Sequence, residues 1–452
     1  MHQDLLNPLP LPATGGPDLD PAWGLDSHGI AVSFRQYRHD LSRLTAQLPG
    51  GGRFALNLCR DRYRFLLAFH AVALRGQTNL LPPNQAPATQ DLLLQQYDGS
   101  YIISDQPQSD TGDVPVVLVQ TSTDYGLNGV EQGYDVPPRH LAAILFTSGS
   151  TGRPSAVNKA WGELQAGVRA AADSLALTEN PHGRIIATVP PQHMFGLEFS
   201  AVLPLSADIG FYSGQPFFPE DVRQTLQQSA GRGILVTTPI QLRTCLESGI
   251  DWTPCGCRLI LSATAPLSRE LAQRAEAQFG APLKEIYGST ETGAIAWRRT
   301  AEEDAWNLFP GLSMKPQEEC FFVSGGHLSV PCRVSDRVQL QAPGRFRLLG
   351  RHTDLIKIAG KRASLNELNQ LLQRIDGVLD GCFIGMAEPG RENRRLAAVV
   401  VAPGLERSQL LDALSQWIDP VFLPRPLLFV DAMPRNEVGK LPQQALRALL
   451  ES

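Results

Sequence analysis

"FTSGSTGRPSAVNK", residues 146–159, crowds Thr147, Ser148, Ser150 and Thr151 around Gly149 and Gly152, with Pro154 and Lys159 behind them. The stretch follows directly on the apolar run "LAAILF". Small hydroxyls and glycines after a buried strand make a loop whose backbone N–H groups converge on anionic oxygens. A helix following the loop would add its N-terminal partial charge. The Walker pattern is absent, because no Gly-Lys-Ser/Thr follows Gly152, and the G-x-G-x-x-G pattern is absent too. Read alone, the stretch is either an anion cradle of another kind or a Gly/Ser surface turn, set at a strand end.

Working outward, the flanking sequence alternates short apolar runs with helical patterns. "SFRQYRHDLSRLTAQL" begins with Ser33 and Gln36 at capping-box spacing ahead of helix-period apolar residues. "RFALNLC" predicts a strand, "RYRFLLAFHAVALRG" a helix closed by Gly76, and "TNLLP" a strand. The rhythm returns at "RIIATVP", "GILVTTP", "CRLILSA" and "LKEIYG". Such βαβ alternation implies parallel sheet covered by helices. Near residue 320 the texture changes: "CFFVSGGHLSVPCRVSDRVQLQAPGRFRLLGR" predicts hairpins. After Arg351 a compact α+β unit follows, from "LIKIAG" through "SLNELNQLLQRI", "GCFIGMA", "LAAVVVA", "SQLLDALSQWI" and "PLLFVDA" to a last helix. Ser364 and Glu367 make a further capping box there. The expected layout is α/β. A large N-terminal domain, residues 1–350, consists of βαβ layers with parallel sheets and a terminal β-rich segment. A hinge at 351–354 leads to a small, mobile C-terminal α+β domain, 355–452.

Composition narrows the class. At 452 residues the chain has room for more than one core. A net charge of −5 predicts no nucleic-acid partner, which would call for a basic excess gathered on one face. Seven scattered cysteines, with "CGC" too tight for the usual zinc pairs, predict reduced thiols in the cytoplasm. The N-terminus lacks the basic start and apolar stretch of a signal peptide. No apolar run approaches the ~18 residues of a membrane span. The opening fifteen residues, rich in Pro and Gly, predict an extended arm.

Four further segments bear on the loop. "EIYGSTETG" (285–293) puts Tyr287, Gly288, Thr290 and Glu291 after a strand, and "VSDRV" holds Asp336. "LLGRHTDLIKIAGKR" holds Arg351, Asp354 and Gly360, and "PRNEVGKLPQ" holds Lys440. In order and spacing this set resembles the acyl-adenylate-forming superfamily of acyl-CoA synthetases, aryl-CoA ligases, luciferases and adenylation domains. The resemblance spans essentially the whole chain. It implies an enzyme in which a carboxylate attacks the α-phosphate of ATP, pyrophosphate leaves, and the acyl group passes to a thiol. Catalysis of that kind is mostly positioning and charge neutralisation.

By that resemblance, residues Thr147 to Gly152 hold the β- and γ-phosphates, Thr290 the α-phosphate, and Glu291 a Mg²⁺ ion, for which a carboxylate is a hard oxygen ligand. Tyr287 and Gly288 belong to the same ATP site. Asp336 and Arg351 hold the ribose hydroxyls, and Lys440 reaches between the substrate carboxylate and the α-phosphate. Relatives swing the C-terminal domain about Asp354 and bring the Gly360 loop to the pantetheine arm. The thiol is that of CoA or of a carrier protein's phosphopantetheine. A catalytically inactive nucleotide- or acyl-binding homologue is the alternative of another class. The chain departs from the family at Ser155, where the loop usually carries Lys after its Pro; Lys159 is the obvious substitute.

"PPQHMFGLEFS" (190–200) resembles the family's substrate-side motif, with His193 as a gate and Met194, Phe195 and Gly196 beside the acyl pocket. "SATAPLS" (262–268) supplies another wall, in which Ala263 and Ala265 leave room for a ring or chain. Residues 192–197 contain no acidic side chain to hold an α-ammonium, so a neutral-tailed aryl or medium-chain acid is expected.

Overall fold

The computed structural model describes residues 22–108, 111–121, 135–147, 155–177, 183–207, 209–317, 320–351, 355–358, 361–386, 395–436 and 441–451. Two compact units emerge: Met1–Ser313 with Ser324–Cys332, and Met314–Val323 with Arg333–Ser452. The predicted N-terminal arm lies outside the described residues, as does the centre of the hinge, 352–354.

Two sheets form the first unit. One has six strands, in the spatial order Val116–Leu118, Ser100–Ser104, Phe54–Asn57, Thr78–Leu81, Leu141–Thr147 and Ser155–Ala160. All its neighbours run parallel except the last pair. The other sheet is built on six parallel strands: Leu283–Ser289, Cys257–Ser262, Gly233–Thr237, Arg184–Ala187, Gly210–Tyr212 and Ala22–Leu25. Gly233–Thr237 is buried along its whole length, as expected of a strand covered on both faces.

Helix Arg62–Leu74 carries apolar residues almost all round, so it has no wet face and is buried. Asp61 caps it, accepting from Arg64 N at 3.0 Å. At its start the buried Arg62 guanidinium donates to the Ala187 and Val189 carbonyls at 3.2 and 3.1 Å and to Ser200 Oγ. These bonds tie the helix of one sheet to the strand end of the other, where the substrate-side motif begins. Helix Phe34–Gln47 starts as predicted, with Ser33 Oγ accepting from Gln36 N at 3.1 Å.

The described residues on either side of the Ser/Thr/Gly segment form paired strands. Strand Leu141–Thr147 pairs antiparallel with Ser155–Ala160, Thr147 opposite Ser155, and helix Trp161–Ser174 begins only after that second strand. The first described element after the loop is thus a strand rather than a helix. The physical reason lies in "SAVNKA": Val157 and Lys159 alternate inward, while Ala156 and Asn158 stay exposed.

In the second unit, Asp336–Ala342 and Arg345–Arg351 form a hairpin, with Asp336 opposite Arg351. Strands Asp380–Met386, Arg395–Val401 and Leu427–Phe429 form a three-stranded sheet. Leu368, Leu372, Phe383, Val400, Leu410 and Phe422 fill the core of this unit. Arg435 grips Asp380 through two bonds of 2.8 and 2.7 Å.

Candidate active site

Strands Leu283–Ser289 and Gly293–Arg298 pair antiparallel, and residues 290–292 turn between them. Small polar side chains lock this turn. Ser289 N donates to Thr292 Oγ1 at 3.0 Å, Thr292 N donates to Ser289 Oγ at 3.2 Å, and Thr292 Oγ1 donates to the Gly293 carbonyl at 2.7 Å. The two strands approach so closely that a Cβ on Gly288 would lie 2.1 Å from the Gly293 carbonyl oxygen. Thr290 is half-buried and Glu291 is exposed at the tip. Tyr287 packs against Trp306, ring centroids 5.3 Å apart.

Behind the turn lies a cavity of about 330 Å³. Its polar walls include Lys159, Glu198, Glu291 and His327, and Leu164 and Met194 are among its apolar ones. Lys159 stands on the strand after the loop and is 5 % exposed. Its Nζ donates to the Glu291 carbonyl at 2.6 Å. Burial pulls its ammonium below the usual value, and the carboxylates of Glu198, Glu163 and Glu291 oppose that pull.

Glu198 is 3 % exposed and sits in the π-helical turn Leu197–Val202. Such turns recur at functional sites because they re-aim a side chain. Both carboxylate oxygens accept from Ala294 N at 3.1 Å. Burial pushes this carboxyl up to about 7; Lys159 and the Ala294 N–H pull the other way. Gly293, at φ +66°, leaves room for it, since a Cβ there would stand 2.5 Å from Glu198 Oε1. His327 Nε2 is 2.9 Å from the Thr292 carbonyl. Donation from Nε2 leaves His327 Nδ1 as the acceptor, and this atom is buried without a hydrogen-bond partner among the described residues.

The other expected residues are distributed as follows. Ser148 to Gly152, Asp354, Gly360 and Lys440 lie outside the described residues. Thr147 ends its strand at the mouth of the loop. His193 is half-buried, immediately precedes the short helix Met194–Gly196, and is not part of the cavity wall; Met194 is. Phe195 is buried against Phe199. Ala263 is buried and Ala265 half-buried, and between them Thr264 holds φ +80°. A β-branched residue in that region is strained, a condition that clusters at ligand sites.

Sequence reading missed Glu198, Thr264 and His327. A signal existed for Glu198, a single carboxylate inside the apolar run "MFGLEFSAVLPL". None existed for His327, which meets the turn from 35 residues away.

Among the described residues no group of three or more His, Cys, Asp or Glu could hold a metal ion. The exposed Glu291 carboxylate fits Mg²⁺ in another way, because that ion is commonly held by one or two carboxylates plus substrate phosphates.

The AMP-binding enzyme pattern matches residues 25–318, and the chain belongs to that family. It is 28 % identical over 347 residues to 4-coumarate–CoA ligase of Rhodobacter capsulatus, covering 74 % of this chain and 84 % of the relative. With 2-succinylbenzoate–CoA ligase of Bacillus cereus the identity is 22 % over 439 residues, 87 % of this chain and 88 % of the relative. Among solved structures, ATP-bound MatB from Rhodopseudomonas palustris superposes with a TM-score of 0.80 at 20 % identity, covering 95 % of this chain and 96 % of that one. The o-succinylbenzoate CoA synthetase MenE from Bacillus subtilis, in complex with its acyl-adenylate intermediate, gives 0.80 at 19 %, with 96 % of each chain covered. At those identities the structural likeness establishes the fold. No helix among the described residues is long and apolar enough to cross a membrane.

Proposed function

We propose that the chain is an AMP-forming ligase that activates a small carboxylic acid with ATP and passes the acyl group to CoA. In the first half-reaction a carboxylate oxygen attacks the α-phosphorus and pyrophosphate leaves. In the second the thiol attacks the acyl carbonyl and AMP leaves. The Ser/Thr/Gly loop cradles the β- and γ-phosphates, Thr290 donates to the α-phosphate, and Asp336 and Arg351 hold the ribose. Lys440 neutralises charge that builds on the α-phosphate and the attacking carboxylate. Bound at Glu291, Mg²⁺ would supply charge neutralisation on the phosphate oxygens. Gly360 leaves space for the pantetheine arm in the second step, and residues 351–354 are the proposed hinge.

The observation that carries this reading is that Glu291 and Thr292, next to Thr290 in the turn, line the cavity, within a chain of the AMP-binding enzyme family. An acid seated in the cavity would present its carboxylate at that turn. The CoA ligases among the relatives favour CoA over a carrier protein as acceptor. The test is acid-dependent exchange of labelled pyrophosphate into ATP, followed by detection of the thioester by mass. Exchange with no acid of a broad panel, at any Mg²⁺ concentration, would refute it.

A further inference from the structure

We propose that the buried Lys159 and Glu198 form a specificity site for a hydroxyl carried by the acid, so that the substrate is a small hydroxy-substituted carboxylic acid. This rests on the ligase reading above and reassigns Lys159 from the phosphates to the acyl tail.

The two side chains reach the cavity from opposite parts of the unit. Lys159 comes from the strand behind the anion loop and Glu198 from the π-helical turn. The same hairpin anchors both, the ammonium on the Glu291 carbonyl and the carboxylate on Ala294 N. Each keeps spare capacity. An ammonium has three donors, and the described residues give this one a single hydrogen bond. A carboxylate has about four acceptor positions, and here one N–H serves both oxygens. Groups buried this deeply and left underused lose free energy unless a ligand completes them.

Charge and size select the ligand. With the Glu291 carboxylate exposed at the turn, the carboxyl-bearing residues Glu163 and Glu198 stand in the lining against the cations Lys159 and Arg139. An anionic tail would gain Lys159 but face Glu198. A cationic tail would face Lys159. An apolar tail would seal off both groups unsatisfied. A hydroxyl accepts from the Lys159 ammonium and donates to the Glu198 carboxylate without adding charge. The volume, about 330 Å³, is at the small end for ligand cavities. Apolar Leu164, Met194 and Leu328 line the same cavity and suit a ring or short chain.

The test uses matched acids that differ in one group: benzoate against its 3- and 4-hydroxy forms, cinnamate against 4-hydroxycinnamate, and the corresponding amino acids and dicarboxylates. Pyrophosphate exchange and calorimetric binding of each acid to the full chain are both measured. A site built for a hydroxyl rejects the analogue lacking it by up to about 10⁴–10⁵-fold, so at least ~100-fold in kcat/KM is expected for the best pair. In Lys159→Met and Glu198→Gln that ratio should collapse towards 1. Binding preference for the hydroxy acid without any exchange would sustain this proposal and sink the ligase reading. Equal handling of hydroxy and deoxy acids by the unaltered chain in both assays overturns the proposal, with no variant needed. So does preference for a dicarboxylate, or an unchanged ratio in both variants.

Discussion

The two sides of the hairpin Leu283–Arg298 are built from the same residues and do different work. On the outer side Glu291 presents an exposed carboxylate at a turn stiffened by Ser289 and Thr292. On the inner side the carbonyl of that same Glu291 holds a buried lysine, and Ala294 holds a buried glutamate. Water and counter-ions reach the outer side, so it can exchange an ion and a polyphosphate without a large desolvation cost. On the inner side Lys159 and Glu198 are buried, so a polar atom left unmet there discriminates strongly between ligands. On the proposed reading, adenylation chemistry sits on the exposed turn and selectivity in the cavity behind it.

Substitutions can break that contrast, and the largest effect is expected outside both faces. Lys440→Ala should slow adenylate formation by roughly 10²–10³-fold, the usual cost of a lost donor at developing charge. It should still pass a synthetic acyl-adenylate to CoA at near-normal rate in single-turnover experiments. Gly360→Leu should do the reverse. Equal slowing of both steps by both variants would mean that one fixed site serves them together.

On the outer face, Glu291→Gln should raise the Mg²⁺ concentration for half-maximal exchange, by at least the roughly 10–100-fold seen for outer-shell partners of metals. An unchanged Mg²⁺ titration would return Glu291 to the solvated surface. On the inner face, Gly293→Ala forces a side chain into φ +66° and against Glu198 Oε1. A loss of about 1–3 kcal/mol in denaturant unfolding is expected. A variant as stable as the parent would show that Glu198 can move aside.

The smallest expected effect is a pH slope. Glu198 has a folded-state value raised to about 7 from an ordinary 4.5. The folded chain therefore binds this proton more tightly than the unfolded chain. The resulting stability is complete below about pH 4.5 and is lost as pH rises through 7. Glu198→Gln should flatten melting temperature against pH across that window. A slope identical to that of the parent would assign it to other groups.

Much of this architecture was legible along the chain. The apolar runs "GILVT" and "LAAILF" and the cap at Ser33 encode strands and a helix through local contacts. The Thr290–Glu291 turn was legible for the same reason, since its bonds span three residues. The strand Ser155–Ala160 was not, because its short alternation sits between the loop and a helix. Lys159 and Glu198 were illegible as a pair: they meet their anchors across 132 and 96 residues, and only the packed sheets bring those partners together.

Adenylation followed by transfer to CoA fixes a product stoichiometry that can be measured. The purified chain is given ATP, Mg²⁺, CoA and the best acid of the panel, and nucleotides and thioester are quantified together. AMP, pyrophosphate and acyl-CoA are expected in equal amounts, with pyrophosphate exchange that requires the acid and proceeds without CoA. Formation of ADP and phosphate, or exchange that begins only when CoA is added, would contradict it.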